Sequence, residues 1–286
     1  MALALVSGAS TGIGRATALR LLADGWTVLA GVRTAAAGEA LVAAAAAGSR
    51  MLPLELDVTD AAQIAAAAAR VQELAGDRAA SVPGGLDALV NNAGVAVGGP
   101  LELMPAEDLR HQFDVNVHGQ VAVTQALLPA LRRARGRVVF ISSIGGRVVT
   151  PFLAPYSASK HALEAIADSL RVELRSSGVQ VALIEPASVA TPIWDKGRAE
   201  AQRVEVPPEL RQHYGHVQAA LTKAIDDTER RGVPPEQVAA TIAGALAATR
   251  MRSRYLIGTE AKAMLALRRV LPDRAFDAVI VRALGL

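Results

Sequence analysis

The stretch LALVSGASTGIG, residues 3–14, decides the fold of this chain. Its first four residues form an apolar run with the length of a buried strand. The Ala- and Leu-rich residues that follow position 14 favour a helix. Between them lie Gly8, Gly12 and Gly14, where a missing Cβ lets the backbone turn tightly and approach a pyrophosphate at a helix N-terminus. The stretch therefore predicts a strand, a glycine-rich turn and a helix.

The glycine spacing Gx3GxG differs from the GxGxxG of the common dinucleotide fingerprint. By itself it also fits a turn that uses glycine only for its shape. Ser10 and Thr11 add hydroxyl groups to this turn, and Ile13 lies between its last two glycines. The rest of the chain has to decide between a phosphate-binding turn and a structural one.

The hydrophobic pattern alternates strands and helices along the chain. We expect strands near residues 3–7, 26–32, 51–56, 86–91, 137–142, 179–184 and 254–258, and helices that begin near residues 12, 36, 60, 105, 155 and 234. This alternation predicts an α/β fold, a Rossmann-type doubly wound parallel sheet of about seven strands with helices on both faces. A length of 286 residues fits a single domain of this kind, residues 1–286.

Four clusters of small and polar residues follow predicted strands. The glycine turn follows the first strand, NNAG at 91–94 the fourth, and Ser143 the fifth. Tyr156 and Lys160 begin the next helix, with Tyr156 thirteen residues after Ser143. The carboxyl ends of parallel strands share one edge of the sheet, where ligands bind. The clusters should therefore meet at that edge.

Tyr156 and Lys160 are four residues apart, which places phenol and ammonium on one helix face, one turn apart. A phenol with a pKa near ~10 is a poor base at neutral pH, and a neighbouring positive charge favours its ionised form. The pair is a candidate acid/base group that moves a proton on and off an alcohol oxygen. Ser143 is suited to donate to a carbonyl oxygen on which charge develops.

Together these motifs resemble the short-chain dehydrogenase/reductase family in its single-domain form. The matching motifs run in family order over residues 3–192: GASTGIG at 8–14, Asp57, NNAG at 91–94, Asn116, Ser143, YxxxK at 156–160 and the segment from Pro186 to Thr191. The stretch YSASKHALEA at 156–165 is similar to retinol- and hydroxysteroid-dehydrogenase-like members. One departure is Ala187, where the family usually has glycine, beside the expected nicotinamide site.

The resemblance implies an oxidoreductase that interconverts an alcohol and a carbonyl by hydride transfer. It implies four catalytic residues: Tyr156 as acid/base, Ser143 as donor to the substrate oxygen, Lys160 to lower the phenol pKa and bind the nicotinamide ribose, and Asn116 to hold a water. The adenine ring is assigned to Asp57 and Val58, and the carboxamide to Thr191 and the Val189 backbone. The candidate cofactor-binding residues are Gly8, Ser10, Thr11, Gly12, Ile13, Gly14, Arg33, Asp57, Val58, Asn91, Ala93, Gly94, Tyr156, Lys160, Pro186, Val189 and Thr191.

The end of the second predicted strand bears on the choice of cofactor. In dinucleotide folds an acid at this point, about 20 residues past the glycine turn, binds the ribose 2′-hydroxyl, whereas an Arg accommodates a 2′-phosphate. Here the strand ends in Val32, Arg33 and Thr34, with no acid before Glu39. A guanidinium suits a phosphate. The sequence therefore predicts NADP, with NAD as the alternative.

Composition excludes several other classes. Hydrophobic residues are 51% and aromatic residues 3% of the chain, which predicts an aliphatic core. The net charge of +3 is scattered Arg rather than a basic patch, so we expect no nucleic-acid partner. No cysteine, signal peptide or apolar stretch of ~18 residues is present, which favours a cytoplasmic protein without a membrane span. We also expect no metal site, because His213 and His216 lack a third ligand nearby.

Two segments and one alternative function remain open. Residues 192–235 break the strand–helix rhythm and are interpreted as a substrate lid, with a variable surface insertion as the alternative. Residues 260–286 are interpreted as a helical tail that docks on its own domain or on a partner subunit; peripheral membrane association is the alternative. A non-catalytic dinucleotide-binding sensor or scaffold would be expected to lack Ser, Tyr or Lys at the site, and all three are present.

The substrate and the assembly are predicted only in general terms. Aliphatic residues around the lid favour an apolar alcohol or ketone, with steroid, retinoid, acyl and sugar-like substrates as alternatives, and the direction of reaction does not follow from the sequence. The resemblance implies that the helices near 105–130 and 155–176 form a subunit interface. We therefore expect a homodimer or homotetramer with closed symmetry.

Overall fold

The structure is a computed structural model that describes residues 2–46, 48–76, 84–193 and 206–284. Within these residues, parallel strands form a seven-stranded sheet in the order β3-β2-β1-β4-β5-β6-β7. The strands are β1 Leu3–Val6, β2 Thr27–Val32, β3 Met51–Glu55, β4 Ala88–Asn91, β5 Arg137–Ile141, β6 Gln180–Pro186 and β7 Arg254–Ile257. The predicted doubly wound parallel sheet is confirmed, and each predicted strand lies within two residues of its observed bounds.

Helices cover both faces of the sheet. They are α1 Gly12–Ala23, α2 Ala35–Ala43, α3 Ala61–Gly76, α4 Ala106–Phe113, α5 Gln120–Ala134, α6 Ala154–Glu173, α7 Arg211–Tyr214, α8 Val217–Arg231, α9 Pro235–Ala247, α10 Thr259–Val270 and α11 Asp273–Leu284. A π-helical turn, Asp114–Gly119, joins α4 to α5. None of the described helices is long and apolar enough to cross a membrane.

The two-residue repeat of the strands produces two cores. Leu3 and Leu5 of β1 face a cluster that contains side chains of α3, α5 and α6. Ala4 and Val6 face the opposite cluster, with side chains of α1, α2 and α9. Because successive side chains of a strand point to opposite faces, a strand covered on both faces has to be apolar throughout. This is why LALV reads as a continuous apolar run.

The strand order places a crevice beside the glycine turn. β1 lies between β2 and β4, so the chain reverses its direction of travel across the sheet at the β1/β4 junction. In doubly wound sheets ligands bind outside the carboxyl ends of the strands at this switch point. The glycine turn follows β1, and the NNAG segment begins at the last residue of β4, so both flank the crevice.

The predicted lid, residues 192–235, is only partly described, because residues 194–205 lie outside the described residues. Its remaining part contains α7 and α8, whereas the sequence analysis predicted no helix there. The Tyr214 hydroxyl donates to Glu102 Oε2 at 2.7 Å, and the rings of Phe152 and His216 meet edge-on with centroids 6.5 Å apart. These contacts place the segment against the loops that follow β4 and β5.

The C-terminal helices α10 and α11 each have apolar side chains that are buried within the protein. Ala261 and Leu265 of α10 and Phe276 of α11 are buried. The Arg268 guanidinium lies over the Phe276 ring, 5.4 Å from its centroid, and donates to Asp273 Oδ1 at 2.7 Å. The two helices are thus held to each other by apolar and charged contacts.

Candidate active site

The glycine turn has the shape and the open backbone groups that an anion needs. Gly8 and Gly12 have φ of +63° and +53°, a region that L side chains rarely adopt. A Cβ at Gly14 would overlap the Gly8 carbonyl oxygen. α1 begins at Gly12 without a side-chain hydrogen bond from its N-cap residue, Thr11. The first N–H groups of the helix therefore have no side-chain acceptor, which is the usual arrangement for a bound phosphate.

Ser7 and Asn92 fix the turn to the neighbouring strand. Asn92 Nδ2 donates to the carbonyl oxygens of Ser7 at 2.9 Å and Gly8 at 3.0 Å. Ser7 Oγ accepts from the backbone N–H of Asn92 at 3.0 Å and of Ala93 at 3.1 Å. Sequence reasoning missed both residues as members of the site. The available signal was the second amide of NNAG, directly after the strand that pairs with β1.

Asn91 has a different environment from the rest of its motif. It is fully buried, and its Nδ2 donates to Thr124 Oγ1 of α5 at 2.8 Å. Ala93 and Gly94 are only partly buried. The structure therefore brings Ala93 and Gly94 to the open edge and turns the Asn91 side chain into the helix layer.

Three amide side chains form hydrogen bonds with the backbone of the loop after β4. Gln112 of α4 accepts from Val97 N and donates to Val95 O, both at 2.8 Å. Asn116 accepts from Val95 N at 2.9 Å and donates to Val95 O at 3.0 Å. Gln120 Nε2 donates to Ala93 O at 2.8 Å. We call Gln112, Asn116 and Gln120 the amide ladder.

Asn116 also reaches the helix that carries the Tyr–Lys pair. Its Nδ2 lies 3.1 Å from Ser159 Oγ, which in turn donates to the Tyr156 carbonyl oxygen at 2.7 Å. Sequence reasoning identified Asn116 but neither of its ladder neighbours. Their spacing of four residues was a usable signal, since it places each amide about one helical turn from the next.

The carboxyl ends of β2 and β3 form the outer end of the edge. Arg33 is exposed, and Asp57 Oδ1 accepts from Thr59 N at 2.9 Å and Thr59 Oγ1 at 2.7 Å. Partial burial acts to raise the pKa of Asp57, but these hydrogen bonds and the nearby Arg33 charge hold it below its ordinary value. Val58 is buried. Its carbonyl oxygen packs on Gly119, where an added Cβ would be 2.6 Å away.

Ser143, Tyr156 and Lys160 meet at the end of β5. The phenol of Tyr156 is hydrogen-bonded to the Ser143 side chain, and Ser143 Oγ also accepts from Gly145 N at 3.0 Å. Lys160 Nζ donates to the Ile141 carbonyl oxygen at 2.7 Å and lies 5.7 Å from the centroid of the Tyr156 ring. Tyr156 is 8% exposed and Lys160 is 4% exposed. The structure thus assembles the three groups in a nearly dry site.

Burial moves both pKa values toward the neutral forms. It raises the pKa of Tyr156, although the hydrogen bond with Ser143 acts in the opposite direction. It lowers the pKa of Lys160 to about 8, although the Glu164 charge opposes this. The net shift of the phenol pKa is thus upward, against the lowering that the sequence analysis expected from Lys160. Burial outweighs it, and the ammonium is bonded to a backbone carbonyl rather than to the phenol.

The segment after β6 comes back to the glycine turn. Pro186 ends β6, and Ala187 N donates to the Ile257 carbonyl oxygen at 2.8 Å. Val189 pairs with Val233 in a short parallel bridge. A Cβ at Gly12 would lie 3.0 Å from Thr191 Cγ2. Gly12 and Thr191, both predicted to bind the cofactor, therefore lie next to each other.

Ala187 does not distort the turn at which the family usually has glycine. Among the described residues, only Arg135 and Phe152 are non-glycine residues with positive φ, so Ala187 has an ordinary backbone conformation. The unusual backbone lies instead at Gly258, with φ of +102°, where a Cβ would be 2.8 Å from Ala187 Cβ. The glycine that the close approach requires is therefore Gly258, directly after β7.

Comparison with known proteins identifies the family. The family profile described as short chain dehydrogenase matches residues 2–202. The chain is 37% identical over 289 residues to an NADPH-dependent 3-dehydrocapnine reductase of Ornithobacterium rhinotracheale, covering 99% of this chain and 98% of the relative. The chain belongs to the short-chain dehydrogenase/reductase family. The predicted family is confirmed, and this short-chain dehydrogenase/reductase is an oxidoreductase.

Two further similarities refine this assignment. Mouse retinol dehydrogenase 5 is 36% identical over 288 residues, which cover 96% of this chain and 86% of the relative. This agrees with the predicted retinol-dehydrogenase-like branch. A short-chain dehydrogenase/reductase from Burkholderia phymatum, solved in complex with NAD, superposes with a TM-score of 0.76 at 29% identity, covering 94% of this chain and 92% of that structure.

Proposed function

We propose that this short-chain dehydrogenase/reductase interconverts an apolar alcohol and the corresponding carbonyl compound with NADP(H), using Tyr156 as the acid/base. The cluster of Ser143, Tyr156 and Lys160 carries the proposal. It places a hydroxyl, a phenol and an ammonium together in a buried site at the carboxyl edge of the sheet.

Each residue of the cluster has a separate task. In reduction, the Tyr156 phenol donates its proton to the carbonyl oxygen, and in oxidation the same oxygen takes the proton back. Ser143 donates a hydrogen bond to that oxygen, which stabilises the charge developing on it. Lys160 supplies a positive charge that favours the tyrosinate when it forms. When bound, the nicotinamide supplies or accepts the hydride.

The raised pKa of Tyr156 bears on the direction of proton transfer. At neutral pH the phenol is protonated, which is the form that donates a proton in reduction. Oxidation would require the tyrosinate, which burial disfavours. The protonated phenol is thus the form that reduction uses, and the NADPH-dependent relative is named a reductase.

The described residues fit a dinucleotide. Uncapped N–H groups of α1 and the close packing of Gly14 on Gly8 provide a cradle for a pyrophosphate. Arg33 supports a 2′-phosphate, because it is exposed at the end of β2 and bears a planar, permanent positive charge. The NADPH-dependent relative supports the same choice, whereas the NAD complex of the Burkholderia phymatum structure supports the alternative.

The surroundings of the site favour an apolar substrate. Leu101 and Val149, in the loops after β4 and β5, are 60% and 52% exposed. The segment that contains α7 and α8 reaches these loops through Tyr214 and His216. We propose that the described part of this segment covers the substrate as a lid within a single domain. The names of the relatives include 3-dehydrocapnine and retinol as substrates of those proteins.

We further propose that the chain forms a homodimer or homotetramer through α5 and α6. Ala158 and Ala165 on α6 are exposed small residues, and Val172 on the same helix is 65% exposed. Small side chains let two helices approach closely, and an exposed apolar residue favours a partner. Light scattering at micromolar concentration tests this, and a monomer would contradict it.

The catalytic proposal is tested by turnover with both cofactors. Purified protein is mixed with NADPH or NADH and with a series of aliphatic and cyclic ketones of increasing apolar surface, and cofactor absorbance is followed. We expect oxidation of NADPH that becomes more efficient, in kcat/KM, as the apolar surface of the ketone grows. Tight cofactor binding without turnover of any ketone or alcohol would instead support the non-catalytic sensor or scaffold.

A further inference from the structure

A cluster of charged side chains lies buried behind Lys160 and has no role in the chemistry above. Glu164 is one helical turn after Lys160 on α6, and Glu185 lies on β6. Glu164 is 6% exposed and Glu185 is 1% exposed. Ionising two carboxyl groups together at this depth is costly, because burial and mutual repulsion both disfavour the second charge.

Arginines bind one oxygen of each carboxyl group. Arg254 Nε, at the start of β7, lies 3.0 Å from Glu164 Oε2 and 3.0 Å from Glu185 Oε1. Arg147, in the turn after Ser143, lies 3.2 Å from the same Glu185 oxygen. Arg254 also binds Asp168 at 2.6 Å, so its positive charge is divided among three acids. Asp168 is also bound by Arg171 at 2.9 Å, which leaves Arg147 and Arg254 as the arginines that contact the two buried carboxyl groups.

The second carboxyl oxygen of Glu164, which Arg254 does not bind, indicates where a proton is needed. Glu164 Oε1 is buried without an ordinary hydrogen-bond donor. The two carboxyl groups nevertheless lie close together, since one oxygen of each is 3.0 Å from Arg254 Nε, and a hydrogen bond between them acts to raise the pKa of Glu185. An ionised carboxyl group only accepts, so such a bond forms only if one of the two is protonated. One proton between them would satisfy the buried oxygen and remove the repulsion.

The other properties of the pair agree. Burial and the neighbouring Glu164 raise the pKa of Glu185 to about 7, although Arg147 and Arg254 act to lower it. The turn after Ser143 packs directly on the pair, since a Cβ at Gly146 would be 3.1 Å from Glu164 Cγ. The charged groups that face the pair are Lys160 and Asp168 from α6, Arg147 from that turn and Arg254 from β7.

We propose that Glu164 and Glu185 share one proton, and that this proton controls the charge that faces Lys160. When the pair releases it to solvent, the cluster gains one negative charge, which favours the ammonium form of Lys160. Glu164 already acts on Lys160 in this sense. The pair is therefore a positioning and charge-tuning group for Lys160. Its meaning for turnover rests on the proposed function, but the shared proton itself does not.

Infrared spectroscopy of the unliganded protein tests the shared proton directly. We expect the carbonyl band of a buried carboxylic acid at about pH 6 and its loss at about pH 8. These two values lie on either side of the raised pKa of Glu185, which is about 7. Glu185→Gln should abolish the titrating band, because it removes the carboxyl group whose pKa is raised. Glu164→Gln should move the loss of the band to lower pH, because the repulsion is gone while burial still acts on Glu185. Asp168→Asn is the matched control and should keep the band, since Asp168 binds Arg254 but lies outside the pair.

The titration midpoint of Lys160 provides a second measurement. It would not change if the Glu164–Glu185 pair had only a structural role. The chain has four lysines, Lys160, Lys196, Lys223 and Lys262, so lysine-labelled protein gives few NMR signals and Lys160→Arg identifies the relevant one. In Glu164→Gln the midpoint of Lys160 should fall by about one pH unit, because the carboxylate that favours its ammonium form is missing. In Asp168→Asn it should move much less.

The outcomes separate the two proposals. No carboxylic acid band in the unmodified protein at about pH 6, a band that survives in Glu185→Gln, or an unchanged titration in Glu164→Gln would overturn the shared proton. Tyr156→Phe should keep the band and lose turnover. Retained turnover in that variant would overturn the catalytic proposal and leave the shared proton intact.

Discussion

The two ends of the carboxyl edge are built differently. At the β5 end, Tyr156 and Lys160 are almost completely buried, and their polar atoms have fixed partners in Ser143 and the Ile141 carbonyl. At the β2 end, Arg33 is exposed. Proton transfer needs tuned pKa values and fixed distances, which only a packed site provides. Recognition of a phosphate needs mainly a charge within reach. Substitutions at the buried end should therefore change turnover, and those at the exposed end should change affinity.

The strongest challenge to this contrast is Tyr156→Phe at the buried end. It removes only the hydroxyl, so the fold and NADPH binding should persist while kcat falls by at least about 100-fold, the scale of general acid–base catalysis. Tyr255→Phe is the matched control, because that hydroxyl accepts from Arg252 N instead and its loss should leave kcat nearly unchanged. Steady-state turnover and fluorescence titration of NADPH measure both effects. Near-normal turnover in folded Tyr156→Phe would refute the assignment of the acid/base.

At the exposed end, Arg33→Ala should weaken NADPH binding by about ten- to a hundredfold, the scale of one charge-assisted phosphate contact. NADH binding and kcat should be almost unaffected, because neither involves a 2′-phosphate. Arg50→Ala removes an equally exposed charge before β3, at the opposite edge of the sheet, and is the control. Equal affinities of the unmodified protein for the two cofactors would contradict the role of Arg33.

The pH dependence of reduction sharpens the contrast further. The pKa of Lys160 is lowered to about 8, so its positive charge is lost as the pH rises through that value. Turnover in the reducing direction should then fall by up to about tenfold per pH unit above the midpoint, since the charge that favours the forming tyrosinate disappears. NADPH affinity through Arg33 should show no such change, because a guanidinium stays charged. A flat kcat/KM up to about pH 10 would show that the Lys160 charge is not required.

The smallest expected effect concerns the family departure at Ala187. Ala187→Gly should lower the free energy of unfolding by about 0.4–1 kcal/mol, because glycine gains freedom in the unfolded chain where the native φ is ordinary. Turnover should stay within about twofold, since no site group moves. Gly258→Ala, in contrast, places a Cβ against Ala187 in a left-handed conformation and should destabilise more. Denaturant unfolding measures the free energy of unfolding of both variants. A smaller loss for Gly258→Ala than for Ala187→Gly would contradict the requirement for glycine at position 258.

Much of this molecule followed from local sequence. Continuous apolar runs such as LALV predicted the strands to within two residues, because both faces of the sheet are covered. The tight turn at Gly8 and Gly14 was predicted from residues that need no Cβ. The proximity of Ser143, Tyr156 and Lys160 followed from the rule that strand ends share an edge.

The features that the sequence did not reveal depend on tertiary neighbours. Asn92 binds the glycine turn only because β4 pairs with β1, more than eighty residues away in sequence. The direction of the Tyr156 pKa shift depends on burial, which no spacing of four residues reports. Helix α8 carries mixed charge, and the sequence analysis interpreted its segment as a break in the strand–helix rhythm although its residues have helical amphipathicity.

The π-helical turn next to the loop after β4 makes the number of residues between positions 112 and 120 important for the site. In a regular α-helix, residues four apart advance by about 40° beyond a full turn at each step, so three amides at this spacing would drift off one face. The wider turn at Asp114–Gly119 takes more residues and counteracts that drift, which keeps Gln112, Asn116 and Gln120 under one loop. Removing one residue here would rotate everything beyond it by about 100°. Between positions 112 and 120 an insertion or deletion is therefore a more severe change than a substitution, and an alignment gap in this stretch marks a relative that supports its β4 loop in another way.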